Sequence, residues 1–186
     1  MASWSRDNVP EEALGGILYM DPAVLVADSA GDTITAVNDF WDDADHYLET
    51  EAAVTGDTPK TCTAKWRFAL PVEFPSQTDV QLKVNARTES SITGTATIDA
   101  QLFRHDKQGS VLKDTGVPVD LVATAVQNIT NTWTEYTFTV TSNDADAPLI
   151  PGAMCTLLVR LYNPNTSGSS IKGNIGDVYL LHDVKG

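Results

Sequence analysis

The sequence predicts an all-β fold, namely an antiparallel jelly-roll β-sandwich of about eight strands that follows an irregular N-terminal arm. Three observations predict it. Between residues 61 and 184, apolar and polar residues alternate with a period of two in one segment after another, as in strands that are buried on one face. Gly, Pro, Asn and Asp separate these segments at short spacing. The connections have neither the length nor the 3.6-residue period of a crossover helix, so we expect antiparallel strands.

The first three predicted strands have the clearest alternation. In TCTAKWRFALPVEF at 61–74, every second residue from Cys62 to Val72 is apolar. DVQLKVNART at 79–88 and TATIDAQLFR at 95–104 repeat the pattern. Their inward residues are expected to be Val80, Leu82, Val84, Ala86, Ala96, Ile98, Ala100 and Leu102. Such one-sided strands favour two sheets that pack on one core.

The later strands complete the predicted sandwich. Residues 111–126 are less regular, and Pro118 marks an edge strand or a bulge there. TWTEYTFTVTS sets Tyr136, Phe138 and Val140 inward, and AMCTLLVRLYN and IKGNIGDVYLLHDV close the domain. A jelly roll is the first choice for this arrangement, and an immunoglobulin-like sandwich is the second.

Residues 1–60 have apolar patches but no sustained period, and we interpret them as an extended arm that precedes a sandwich over 61–186. Within the arm, VNDFWDDADHYLE predicts one or two turns of helix, with Asn38 or Asp39 as the N-cap. The arm is too apolar to remain free in solvent, so we expect it to lie against its own domain, a sister subunit or another protein.

The negative charge is concentrated in the arm. Of the 25 acidic and 12 basic residues, 13 acidic and two basic ones lie in residues 1–60. A negative surface repels phosphate backbones, so no nucleic-acid partner is expected. No apolar run approaches the roughly 20 residues of a membrane span, and the first 16 residues lack the pattern of a secretory signal. We therefore expect no membrane partner and synthesis in a cytoplasm.

The sequence contains no recognisable catalytic or metal-binding constellation. Cys62 and Cys155 are expected to be free, buried thiols, with a disulfide as the lesser alternative. The three histidines stand far apart, and each His–Asp neighbour pair in a strand would point to opposite faces. The EF-hand pattern is incomplete in DFWDDAD. We expect no enzyme activity, no metal and no cofactor.

Aromatic residues are the main candidates for binding. Trp133 stands at the start of a strand, and together with Tyr136 it could provide a platform on which a sugar stacks; closing the end of the core is the alternative role. The arm residues expected to anchor a protein partner are Trp4, Ile17, Leu18, Tyr19, Phe40 and Trp41.

Two family resemblances follow from these residues. The segments TWTEYTFTVTS, CTLLVRLYN and IKGNIGDVYLLHDV resemble the closing half of the galactose-binding-like jelly rolls found in many carbohydrate-binding modules. The shared features are a W-x-x-Y-x-F strand and a last strand that reads Asp177, Val178, Tyr179, Leu180. This resemblance covers about a third of the chain and implies a sugar-binding or receptor-binding domain.

The segments AKWRFALPVEF, TDVQLKVNARTESS and TATIDAQLFRHDKQGS resemble the jelly rolls of cement or decoration proteins of tailed bacteriophages. This second resemblance implies a virion structural protein on the outer surface of the capsid. Its implied partner is the major capsid protein, bound by a dimer or trimer whose arms hold neighbouring subunits. Of the two functions, the decoration protein is the prediction, and the carbohydrate-binding module or receptor-binding domain is the alternative.

Overall fold

A computed structural model describes residues 15–19, 24–26, 34–39, 45–50, 59–72, 74, 80–91, 94–164 and 171–183 of the chain; up to residue 46 it describes the backbone alone. These residues form thirteen strands and no helix. The strands are β1 (Gly15–Tyr19), β2 (Val24–Val26), β3 (Ile34–Asp39), β4 (Asp45–Thr50), β5 (Lys60–Ala69), β6 (Val80–Thr88), β7 (Thr97–Arg104), β8 (Lys113–Asp114), β9 (Val117–Pro118), β10 (Gln127–Asn128), β11 (Thr134–Val140), β12 (Met154–Asn163) and β13 (Gly173–Asp183).

The strands form two antiparallel sheets that pack on one core. Sheet I has the order β11-β6-β13-β4-β3, and β1 pairs with the other end of the long strand β13. Sheet II has the order β10-β7-β12-β5-β2. All these pairings are antiparallel. The predicted fold class, an all-β antiparallel sandwich, is confirmed.

The core lies between the sheets and is built from alternate residues of each strand. In β6 and β7 the predicted inward residues are buried, and so are Tyr136, Phe138 and Val140 of β11. The same alternation in β12 buries Cys155, Leu157, Val159 and Leu161. The prediction fails at the end of the first strand, because β5 ends at Ala69 and Val72 is 74% exposed. Pro71 follows the strand directly, and a residue that lacks an N–H cannot extend the ladder.

The first sixty residues contribute strands to both sheets, which differs from the expectation of an arm outside the sandwich. β2 pairs with β5, whereas β1 and β4 pair with β13. Leu48 of β4 is buried in the core. The Oγ1 atom of Thr50 accepts a hydrogen bond of 2.9 Å from the Gly173 N–H. These contacts tie the described part of the N-terminal third to the same core as the rest of the chain.

The prediction of a helix near residues 38–48 is wrong for the residues that the structure describes there. These residues form the antiparallel pair of β3 and β4. Strand pairing satisfies the backbone groups of both segments and lets Leu48 reach the core. The intervening residues 40–44 lie outside the described part of the chain.

β8 and β9 form a separate two-stranded hairpin with a two-residue turn. Thr115 and Gly116 adopt positive φ values of 47° and 88°, as the tight turns of such hairpins require. Pro118 pairs with Lys113 in this small edge hairpin, which agrees with the predicted edge position.

Both cysteines are free and buried, as predicted. Burial raises the pKa of Cys155 to about 12, so its thiol stays protonated at neutral pH and is a poor nucleophile. No helix among the described residues is long and apolar enough to cross a membrane.

Candidate functional site

The strongest candidate site lies on the outer face of sheet I. Alternation turns one set of residues of each strand away from the core, and neighbouring strands place these sets side by side. The outward residues at this end of the sheet come from β4, β6 and β13, with one aromatic residue immediately before β11. They are Tyr47, Glu49, Asn85, Arg87, Trp133, Asn174 and Gly176.

Trp133 is the most prominent of these residues. Its side chain is 42% exposed, although several groups hold its ring in place. The ring centroid of Tyr47 lies 6.0 Å from that of Trp133 in an edge-to-face arrangement. The Cζ atom of Arg87 lies 4.6 Å from the Trp133 ring centroid, a cation–π contact. Arg87 Nε is buried, whereas part of Trp133 remains exposed to solvent.

A glycine allows the indole to approach the sheet closely. A Cβ atom on Gly176 would lie 3.2 Å from Cζ3 of Trp133 and 3.4 Å from its Cη2. The β13 register with β6 shifts between Ile175 and Val178, and such bulges locally redirect side chains. The position of Trp133 therefore depends on both the irregular backbone of β13 and the absence of a side chain at residue 176.

A polar group lies beneath this surface. Asn174 stands opposite Arg87 on one side and Glu49 on the other in the strand register. It is 0% exposed. Among the described residues, neither its Oδ1 nor its Nδ2 has a hydrogen-bond partner, and the same holds for Arg87 Nε. Burying amide groups without partners is unfavourable, so such groups are uncommon in folded proteins.

Two ion pairs flank the surface. Lys172 Nζ lies 2.5 Å from Glu49 Oε1, and this hydrogen bond raises the pKa of Lys172. Further along β13, the Tyr179 hydroxyl donates to Glu135, and Lys83 Nζ lies 3.2 Å from Glu135 Oε1. The hydrogen bond from Tyr179 is the main cause of the lowered pKa of Glu135. The hydrogen bond and the positive charge of Lys83 lower this pKa further. These charged and polar side chains border the surface around Trp133.

The structure does not bring the predicted sugar platform together. Trp133 is on the surface, but Tyr136 is 7% exposed and belongs to the core. Its hydroxyl accepts a hydrogen bond of 3.2 Å from the Thr130 N–H. The aromatic residue that meets Trp133 is Tyr47, which the sequence analysis missed. Tyr47 and Leu48 are both apolar and are followed by the polar residues Glu49 and Thr50, so the segment has no period of two that would have predicted a strand.

The predicted partner-binding residues fall mostly outside what the structure describes. Ile17, Leu18 and Tyr19 lie in β1, opposite Leu181, Leu180 and Tyr179 of β13. Their side chains lie outside the described part of the chain, as do Trp4, Phe40 and Trp41 entirely. The expectation that these six residues contact a protein partner stays a prediction.

The two histidine side chains that the structure describes, those of His105 and His182, make structural contacts. The ring nitrogens of His105 lie 2.7 Å from Thr156 Oγ1 and 2.9 Å from the Gly109 carbonyl oxygen. His182 is buried, and its ring packs 5.2 Å from the ring of Phe74. Within the described ranges, no three His, Cys, Asp or Glu residues are placed to hold a metal ion.

No protein-family model matches the chain, and no curated protein matches it in sequence. Solved structures similar to it include three β-sandwich proteins. A putative sugar binding protein from Bacteroides thetaiotaomicron is 10% identical, with 90% of this chain and 88% of that chain covered and a TM-score of 0.49. The CBM22-1 xylan-binding domain of Xyn10C from Paenibacillus barcinonensis is 12% identical, with 92% and 97% covered and a TM-score of 0.47.

The third is TmCBM61, solved in complex with β-1,4-galactotriose. It is 10% identical, with 91% of this chain and 88% of that chain covered and a TM-score of 0.42. At such identities and scores the similarity concerns the β-sandwich architecture and carries nothing about a site.

Proposed function

We propose that the chain is a non-catalytic carbohydrate-binding β-sandwich whose sugar-binding surface is the outer face of sheet I around Trp133. The observation that carries the proposal is the state of this indole, which is 42% exposed although Tyr47, Arg87 and Gly176 fix its position. A large ring that is both immobilised and open to solvent is suited to stacking, because little conformational freedom is lost when a ligand binds.

The surroundings of Trp133 match the two kinds of surface that a sugar presents. A pyranose ring has an apolar face of C–H groups, which can cover an aromatic ring, and a rim of hydroxyl groups, which need donors and acceptors. Tyr47 extends the aromatic surface, whereas Asn85, Arg87 and Glu49 border it with polar groups. Binding sites commonly combine aromatic surface with a few fixed polar groups in this way.

Titration of the purified chain with a panel of soluble polysaccharides and their oligosaccharides, by affinity electrophoresis and calorimetry, tests the proposal. We expect at least one glycan to bind, and Trp133→Ala to weaken that binding by about tenfold or more, equivalent to about 1.4 kcal/mol. Ile150→Ala is the matched control, since Ile150 is 39% exposed but lies outside the surface. Unchanged binding by Trp133→Ala, or no binding by the wild type, contradicts the proposal.

The decoration role on a phage capsid stays a prediction, together with its capsid protein partner, its dimeric or trimeric state and its virion location. The residues expected to carry that role lie where the structure describes no side chains. The surface around Trp133 is the one that the described residues support.

A further inference from the structure

We infer that Asn174 is a sugar-contacting residue that determines specificity, and that its amide binds two adjacent hydroxyl groups of the sugar that stacks on Trp133. The inference rests on the proposed function and adds to it the chemical class of the ligand, a sugar residue with two neighbouring free hydroxyl groups.

Asn174 points outward from sheet I, away from the core. A Cβ atom on Gly173 would lie 2.5 Å from Cδ2 of the core residue Leu161, so position 173 faces the core. Ile175 is also buried in the core. Asn174 lies between them and therefore faces outward, as Gly176 does beneath the indole. Two residues along a strand span about 7 Å, so the amide and the ring belong to one surface.

The Asn174 amide has no hydrogen-bond partner among the described residues. Asn174 is wholly buried, and within the described part of the chain both polar atoms of its side chain are unpaired. Asn174 Oδ1 offers an acceptor, Asn174 Nδ2 offers donors, and Arg87 Nε offers one more unpaired donor. Two adjacent hydroxyl groups supply the complementary set, since each can donate to the amide oxygen or accept from an N–H.

Access to Asn174 depends on the Arg87 side chain. Arg87 lies opposite Asn174 in the register, and its guanidinium group is stacked on the indole. A sugar at the edge of Trp133 reaches the amide when the Arg87 side chain moves aside, while Tyr47 and Gly176 continue to hold the indole. The new hydrogen bonds would then replace a cation–π contact and would pair groups that are buried without partners in the free protein.

The test combines stability and binding in the full-length chain. Asn174→Leu replaces an unpaired amide with an apolar side chain of similar size, so we expect the Tm of the free protein to rise by about 3 °C. The affinity of Asn174→Leu for the glycan that binds the wild type should fall by about tenfold or more. Asn163→Leu is the matched control. Asn163 is also buried, and its Nδ2 donates a 2.8 Å hydrogen bond to the Ile171 carbonyl, although its Oδ1 has no partner in the described ranges. This control should have a lower Tm and unchanged affinity.

A second measurement compares related glycans, first on the wild type and then on the variant. Glycans that lack one of the two hydroxyl groups should bind the wild type at least fivefold more weakly, and this difference should disappear in Asn174→Leu. A lower Tm for Asn174→Leu, or wild-type affinity in that variant, overturns the inference. If Asn174→Leu binds normally while Trp133→Ala does not, the inference alone is wrong. If the wild type binds no glycan, the inference and the proposed function both fail.

Discussion

Asp120 shows how a single carboxyl at the surface organises a loop. Its Oδ1 accepts hydrogen bonds of 3.0 Å from the N–H groups of both Leu102 and Val122. Burial raises the pKa of Asp120 above its ordinary value of 3.8, and these two hydrogen bonds, with one from Gln101, offset part of that rise. Asp120 therefore stabilises the loop mainly through the hydrogen bonds that its oxygen accepts, and less through its negative charge.

Two substitutions of Asp120 separate the effect of its hydrogen bonds from the effect of its charge. Asp120→Ala leaves two N–H groups without their acceptor and should lower the free energy of unfolding by about 1–3 kcal/mol. Asp120→Asn keeps an oxygen in place and should lower it by less than about 0.5 kcal/mol at pH 7. Urea unfolding monitored by circular dichroism measures both. Equal losses in the two variants would mean that the charge, not the hydrogen bonds, is what the loop requires.

The raised pKa of Asp120 also predicts how the stability of Asp120→Asn relative to the wild type changes with pH. A carboxyl with a raised folded-state pKa favours folding below the unfolded-state pKa, and this contribution is lost as pH rises through the folded-state pKa. The stability of Asp120→Asn relative to the wild type should therefore increase from pH 3.5 upward and become constant above the folded-state pKa of Asp120. Denaturation at several pH values measures this, and a relative stability that falls over the same range contradicts the assignment.

Among single residues, the sequence predicted burial better than contacts. The phase of each strand placed Trp66, Tyr136 and Phe138 in the core correctly. The contact between Trp133 and Tyr47 joins residues that are far apart in the chain, and the phase of one strand says nothing about which strand lies beside it. Asn174 had no distinguishing sequence pattern, because an outward asparagine in a strand is ordinarily exposed.

Strand β13 contains two glycines that differ in what surrounds them. A Cβ on Gly173 would meet Leu161 Cδ2 and Cδ1 at 2.5 and 2.9 Å inside the core, whereas one on Gly176 would meet the half-exposed Trp133 ring at 3.2 Å. Gly173→Ala should therefore destabilise the protein by about 1–3 kcal/mol through overpacking. Gly176→Ala should cost less than about 1 kcal/mol, because a surface ring can shift, but it should weaken glycan binding.

Urea unfolding of the two glycine variants side by side tests this contrast. Each acts as the control for the other, since both add one methyl group to the same strand. Equal stability losses would mean that the Trp133 ring cannot shift to make room for the added methyl group, and the expected contrast between the two glycines would be wrong.

At the level of elements, the sequence predicted the strands whose alternation lasts seven residues or more. β6, β7, β11, β12 and β13 lie within predicted strand segments, and β5 begins one residue before its segment. The two-residue strands β8, β9 and β10 are too short for a period to be recognised. β3 and β4 were missed because apolar residues at helical spacing, including Phe40, Trp41 and Leu48, predicted a helix. Pairing with β13 decides for strands instead, and that partner lies more than 120 residues away.

For the whole molecule, the structure changes the expected result of deleting residues 1–59. If these residues formed a separate arm, the remaining chain should fold normally. In the described structure β2 covers the edge of β5, and β4 and β1 cover the edge of β13. Deletion should expose both edges and remove Leu48 from the core, so we expect a markedly lower Tm and aggregation through unpaired strands.

Thermal unfolding and size-exclusion chromatography of the truncated chain measure this effect. A truncated protein that melts at the same temperature as the full chain and elutes as one species would mean that β1, β2 and β4 do not contribute to the stability of the sandwich. It would also restore the interpretation of residues 1–60 as a detachable arm.

The pairing of β1 with β13 has a consequence for how the protein is made. Gly15 lies opposite Asp183, so sheet I joins strands from nearly the full length of the chain. During synthesis, the early strands β1 and β4 leave the ribosome long before β13 exists to receive them. Contacts of such large sequence separation also slow folding. The nascent chain must therefore keep its first strands from other partners until the last strand has been translated.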